Sequence, residues 1–435
     1  MYNRFIVYGL SLLAFWQLGS CSDDTAPAEL QPNGATPNIL LIIADDLGKD
    51  AIAGYSEGSL KANTPNLNNL RNNGVAFTNF WTYPTCSPTR ASILTGKYGY
   101  RTGVLGAGDE LNTNELSLQE YIAQQTGNAY ATAIVGKWHL SGNNPAANPE
   151  QDFGIDYYSG LIRGAVDDYY RWQLTEDGQS SLQTGYATEV ITNMAASWIE
   201  QQEKPWFMWL AYNAPHTPYH IPPQNMHSQG SLPAYSASAD ALPYYLAAVE
   251  AMDYQIGLLL AGIPEAELEH TVIIFIGDNG TPNKAAQSPY SSLKVKNTLY
   301  QGGINVPMVI SGKGVLATGT NANLINSTDL FATIGQLAGA NATTVNDSKS
   351  FLPVLENTAF EARAFQYSEM NDGLANIWTI SNGAYKLIQV EGGADELYEL
   401  LNDPYENNNL LETSLTTEAQ AAKLDLENEL TKIRN

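Results

Sequence analysis

The chain has 435 residues, of which 21 are Lys or Arg and 45 are Asp or Glu, for a formal net charge of −24. Only 15% of residues are charged, against roughly 25% in an average soluble protein, so the acidity comes from a scarcity of bases. A hydrophobic content of 44% excludes a disordered chain, and no basic stripe is available for nucleic-acid phosphates or anionic lipid. An anionic substrate would have to be held by local groups against the field of the whole molecule. Cys21 and Cys86 are the only cysteines, which excludes a disulfide framework and a Cys-rich zinc site.

The N-terminus carries Arg4, a short apolar run from Phe5 to Leu18, and small residues at Gly19-Ser20-Cys21, the layout of a secretory signal. A spanning anchor needs ~20 apolar residues, which this run does not reach. Leu18-Gly19-Ser20-Cys21 resembles the lipobox of bacterial lipoproteins, which implies cleavage before Cys21 and acylation of that residue. Residues 1–20 then form a lipoprotein signal peptide and residues 21–36, rich in Ala, Pro, Gly and Asn, a tether. On this reading the protein is an outer-membrane lipoprotein, facing periplasm or cell surface, that meets membrane only through the lipid on Cys21. The bland alternative is an ordinary signal peptide with an incidental cysteine.

Short apolar runs of strand length follow, each ending in polar residues. Asn38–Ala44 runs into Asp45-Asp46, and Ala131–Val135 into Gly136-Lys137-Trp138-His139. Trp206–Tyr212 leads to Asn213-Ala-Pro-His216, and Thr271–Ile276 to Gly277-Asp278-Asn279-Gly280. Continuous rather than alternating apolar strands predict a sheet buried on both faces, hence an α/β fold with parallel strands. Helical patterns lie between them, for example over Glu189–Gln201 and Pro243–Leu260. Ligands in open α/β sheets gather at strand carboxyl ends, so these polar clusters predict one shared site. Singly, each has a dull reading: Asp-Asn-Gly after a strand is usually a turn, and Asp45-Asp46 suits a helix cap.

The deciding segment is Cys86-Ser87-Pro88-Thr89-Arg90-Ala91-Ser92-Ile93-Leu94-Thr95-Gly96. Pro88 suits the first turn of a helix and Gly96 its stop. Cys86 would lie at the helix N-terminus, where free N–H groups favour an anion, with Arg90 one turn on along the same face. The alternative is a buried thiol at a helix start beside a surface arginine.

With these residues the sequence resembles the formylglycine-dependent sulfatases of the alkaline-phosphatase-like superfamily. Their motif Cys-x-Pro-Ser/Thr-Arg, followed by Leu-Thr-Gly, stands at Cys86–Arg90 and Leu94–Gly96. Asp45-Asp46, Gly136–Leu140, Pro215-His216-Thr217-Pro218, Asp278-Asn279-Gly280 and Lys296 match in family order, and the likeness covers about residues 37–410. One departure is that Gln301 and Asn305 stand where the family usually has Glu and Arg; the two amides can bond to each other as the ionic pair would.

The resemblance implies a three-layer sandwich with a mainly parallel mixed sheet over residues 37–345. A small C-terminal α+β subdomain with an antiparallel sheet would follow over 346–435, joined near Asn341–Lys349. It implies hydrolysis of a sulfate ester, most plausibly of a sulfated polysaccharide or oligosaccharide, with release of inorganic sulfate. Cys86 would be oxidised to formylglycine by a formylglycine-generating or anaerobic sulfatase-maturating enzyme, then hydrated to a gem-diol nucleophile. Asp45, Asp46, Asp278 and Asn279, with that diol, would hold Ca²⁺ or Mg²⁺ in an all-oxygen cage. Asp278 would take a proton as attack begins, and His216 would protonate the leaving alcohol beside Lys296. His139 would serve as the base that expels sulfate, while Arg90 and Lys137 hold diol and sulfate oxygens. His220, near His216 in sequence, is a candidate for substrate contact against a plain loop histidine, and Arg101 is a candidate to line the pocket against the favoured reading of a structural ion pair; His227 and His270 are assigned nothing. Two rival readings are a phosphatase or phosphodiesterase of the same superfamily, or simple aryl or alkyl sulfates as substrate. A third is an inactive lipoprotein that binds sulfated glycans.

Overall fold

The computed structural model describes residue 1, residues 36–142, residue 144 and residues 147–435; the signal and tether readings lie outside these residues. Among the described residues, one sheet of ten strands runs through the molecule. Its middle consists of Thr271–Gly277, Asn38–Ala44, Trp206–Ala211, Ala131–Lys137 and Tyr157–Leu161, side by side and all parallel. Met308–Gly312 runs antiparallel beside Thr271–Gly277 and joins Gly74–Phe77 and Gly319–Asn321 at that edge. The antiparallel ribbon Trp172–Glu176 and Gln179–Gln183 closes the other edge.

The continuous apolar strands are explained by burial on both faces. Leu40, Ile42 and Ala44 point into one core and Ile39, Leu41 and Ile43 into the other, all fully buried. Helices Ala187–Ile199 and Leu242–Gly262 cover the first face; Cys86–Thr95, Leu118–Thr126 and Asp329–Leu337 cover the second. This is the three-layer α/β arrangement the sequence predicts.

The second core also takes in Phe351, Val354 and Leu355, so the main packing continues past residue 345. A four-stranded antiparallel meander follows, Gln366–Asn371, Asn376–Ser381, Tyr385–Val390 and Glu396–Glu399. The terminal helix Thr417–Arg434 packs Ala419, Leu426 and Leu430 against its Ile380, Leu387 and Leu397. Lys386 ties this sheet back: its sealed ammonium bonds to Leu299 O at 2.6 Å and to Glu406, which also accepts from Gln301 N.

Candidate active site

Four adjacent parallel strands bring their carboxyl ends to one rim. Thr271–Gly277 ends at Asp278 and Asn279, Asn38–Ala44 at Asp45 and Asp46, Trp206–Ala211 at the loop to His216, and Ala131–Lys137 at Trp138 and His139. Cys86 opens the helix Cys86–Thr95 after an extended Thr85, and Gly96 stops it with φ at 66°. One turn along, the fully buried Arg90 reaches the same rim. The clusters predicted to share a site therefore do so.

Two residues there hold a left-handed backbone that non-glycine residues rarely adopt, Asp46 at φ 69° and His139 at φ 60°. The surroundings enforce it. Asp46 N–H donates to Asp278 Oδ1 at 3.0 Å, and Asp46 O accepts from Tyr245 Oη at 2.8 Å. His139 N–H donates to Ile162 O at 3.1 Å, and Ser87 Oγ donates to His139 O at 2.8 Å. These contacts set His139 Nδ1 at 3.0 Å from Cys86 Sγ.

Three cations meet three carboxylates. Arg90 Nη2 donates to Asp278 Oδ2 at 2.8 Å, Lys137 Nζ to Asp45 Oδ2 at 2.6 Å, and Lys296 Nζ to Asp46 Oδ2 at 2.6 Å. Arg90 Nη1 also donates to Lys137 O at 2.7 Å. Burial pushes Asp46 up, but Lys296 and His216 outweigh it and hold this carboxyl well below the usual range. Burial and the neighbouring Asp45 push Asp278 up to about 6. Burial raises the Cys86 thiol despite Lys137, so an unmodified thiol here stays protonated at neutral pH and is a poor nucleophile. Burial, Lys137 and Arg90 push His139 down to about 2, so its imidazole is neutral in this arrangement.

The acidic rim fits a metal ion. Among the described residues, Asp45 Oδ1 and Asn279 Oδ1 are buried acceptors without a partner, a costly arrangement unless a cation or ordered water fills it. Asn279 Nδ2 donates to Asp46 Oδ1 at 2.8 Å, which turns its free oxygen toward another ligand. Ligand atoms of Asp45, Asp46 and His216 lie within 4.8 Å of one another. With the three pairs balanced, a divalent cation would leave the site positive and ready for an anion.

Side-chain exposure separates the basic groups. Arg90 and Lys137 are sealed at 0%, whereas Lys296 and His216 are open by 17% and 15% and face an arriving molecule. His216 Nδ1 donates to Thr217 O at 2.7 Å, leaving Nε2 free at the mouth, 3.7 Å from Asp46 Oδ2. His220 is placed differently from the expectation. Its ring stacks on Tyr169 at 3.6 Å, and both nitrogens are engaged, Nδ1 with Pro218 O and Nε2 with Tyr186 Oη. Arg101 turns to Asp347 at 3.1 Å and lies over Tyr100, half-exposed, in the structural ion pair that the sequence reading favours.

Sequence reasoning did not single out Gly164 or Asn213. A Cβ on Gly164 would sit 2.2 Å from His139 Cε1, so the missing side chain makes room for the imidazole. Asn213 is buried with neither side-chain polar atom partnered. A loop glycine and a post-strand asparagine carry no local pattern that distinguishes them from turn residues.

The family model for sulfatases matches residues 37–340, and the model described as N-sulphoglucosamine sulphohydrolase, C-terminal, matches residues 293–435. The chain is 28% identical over 431 residues to an ulvan-active sulfatase of Formosa agariphila, covering 92% of this chain and 82% of that protein. It is also 28% identical to human arylsulfatase A, over 86% of this chain and 83% of the relative. Among solved structures, Ps i-CgsB superposes with a TM-score of 0.77 at 25% identity, covering 91% of this chain and 92% of that one. A phosphonate monoester hydrolase of Agrobacterium radiobacter shares the fold at a TM-score of 0.69 and 19% identity, over 92% and 95% of the two chains. The chain belongs to the sulfatase family of the alkaline-phosphatase-like superfamily, and is a sulfuric ester hydrolase.

Proposed function

We propose that the protein removes sulfate from a sulfated carbohydrate, with Cys86 oxidised to formylglycine by a maturation enzyme and Ca²⁺ or Mg²⁺ held by Asp45, Asp46, Asp278 and Asn279. The observation that carries this reading is the convergence of Cys86 and His139 with three ion pairs and two orphaned oxygens at one rim. The relative active on ulvan supports the substrate class.

When bound, the divalent ion supplies Lewis-acid polarisation and lowers the pKa of an oxygen nucleophile. The chain's own residues do the rest. Lys296, at the mouth, steadies a non-bridging sulfate oxygen, and His216 Nε2 is the group positioned to give a proton to the departing alcohol. His139, whose Nδ1 lies against the residue-86 side chain, is the group placed to accept the proton whose removal releases sulfate. Arg90 and Lys137, expected to hold diol and sulfate oxygens, bond to Asp278 and Asp45 and keep these carboxylates in register, in fixed dipolar surroundings that need no reorganisation.

The test pairs peptide mass spectrometry across Cys86 with turnover of aryl sulfate and aryl phosphate. The reading predicts formylglycine, a preference for sulfate, and loss of activity in Cys86→Ala. Full activity in that variant, or faster phosphate turnover, contradicts it.

A further inference from the structure

Where the main sheet meets the C-terminal meander lies a cavity of about 450 Å³. That volume falls within the ~300–1,000 Å³ of small-molecule sites. None of Cys86, His139, His216, Lys296 or the rim carboxylates lines it.

Its wall contains three polar atoms whose roles are fixed from behind. Lys49, 2% exposed, can only donate, and its Nζ donates to Thr78 O at 2.5 Å and to Asn305 Oδ1 at 2.6 Å. That contact fixes the Asn305 amide, whose Nδ2 donates to Gln301 Oε1 at 2.7 Å. Among the described residues, Gln301 is therefore left with Nε2 as an unpartnered donor at the cavity, although the residue is only 7% exposed. Gln366 is fixed the opposite way. Its Nε2 donates to Asn79 O at 2.8 Å and Ile325 O at 2.9 Å, which leaves Oε1 as an unpartnered acceptor. Trp81, 2% exposed, adds an unpartnered indole N–H. None of these three atoms is sealed from solvent-sized space, so each is open to a ligand in the cavity.

The pattern selects the ligand chemistry. An anion would waste the Gln366 acceptor and meet Glu57 on the wall; a cation would waste both donors and meet the buried Lys49. A neutral molecule that both gives and accepts hydrogen bonds satisfies all three atoms. The wall beside them is aromatic, with Tyr290 and Tyr405 edge to face at 5.6 Å, which suits the C–H face of a ring. We propose that this cavity is a binding site for a neutral, unsulfated sugar residue, separate from the site that binds the sulfate ester. The recognition rests on the wall chemistry alone and holds whichever ester the active site cleaves.

The test is saturation-transfer NMR and titration calorimetry of the full chain with lactose, cellobiose and xylobiose. At least one is expected to bind, unaffected by Cys86→Ala and not displaced by inorganic sulfate. Gln301→Glu keeps the bond from Asn305 but turns the cavity-facing donor into an acceptor, and is expected to weaken binding by tenfold or more. Tyr405→Ala, at the rim, is expected to weaken it about two- to tenfold and keeps the test open if Gln301→Glu does not fold. Both variants should retain turnover of aryl sulfate. Binding by none of the three sugars, an ordered water network only, displacement by sulfate, or affinity unchanged in folded Gln301→Glu or Tyr405→Ala overturns the proposal.

Discussion

Gly164→Ala probes how tightly the His139 imidazole is held. A methyl at residue 164 would lie 2.2 Å from Cε1 and 2.3 Å from Nε2, whereas ordinary contact starts near 3.4 Å. Ring or loop must therefore move by more than about 1 Å, a shift of the size that can cost ~10²-fold in rate. The ring has little room to retreat. Cys86 Sγ stands 3.0 Å from Nδ1, and the residue's own carbonyl is bonded by Ser87. The expected outcome is a fall of about 10²-fold in kcat for aryl sulfate, about 2.7 kcal/mol of transition-state stabilisation. Cys86 conversion is measured in the same samples by mass spectrometry, so that failed maturation is not mistaken for failed catalysis. Gly262→Ala, where nothing lies within 4 Å of the added carbon, is the control. A Gly164→Ala enzyme with normal conversion and kcat within about threefold of the parent would refute the claim that His139 is fixed by this contact.

Three further outcomes follow from the structure. Lys386→Met leaves Glu406 buried and unpaired, and should cost about 3–5 kcal/mol in urea unfolding, part of it regained in the Lys386→Met/Glu406→Gln double variant; a loss below ~1 kcal/mol contradicts this. Burial pushes Lys49 down to about 8 in the fold, so between there and its ordinary value near 10.5 the unfolded chain binds more protons and stability rises with pH. The parent should gain up to about 3 kcal/mol over Lys49→Met from pH 7 to 10.5, and parallel pH profiles would contradict the shift. With a net charge of −24 around a cationic mouth, turnover of a polysulfated chain should rise with moderate salt, because screening shortens below ~8 Å; a steep fall would refute it.

The parts of the fold that were legible in the sequence are those where burial imposes composition. Ile39–Ala44 and Val272–Ile276 are apolar without alternation because helices cover both faces, and that same fact places Asp45 and Asp278 at a common rim. The helix from Cys86 to Thr95 was legible through Pro88 and Gly96. The edge strand Gln179–Gln183 was not, since its exposed polar residues need no apolar pattern. At His220 the sequence did not show the stacking on Tyr169 and the bond to Tyr186 that set the side chain's direction. The cavity at the meander was illegible for a different reason. Lys49, Trp81, Gln301 and Gln366 come from distant segments, and only the tertiary contacts fix which amide atom each presents.

The central claim is that a modified Cys86, set among these ion pairs, cleaves the sulfate ester of a carbohydrate. Ion chromatography of inorganic sulfate released from defined sulfated oligosaccharides tests it most directly, run with enzyme of measured formylglycine content. The account predicts sulfate release that scales with formylglycine content and vanishes in Cys86→Ala. Release that is independent of residue 86, or absent from every sulfated sugar despite full conversion, would contradict it.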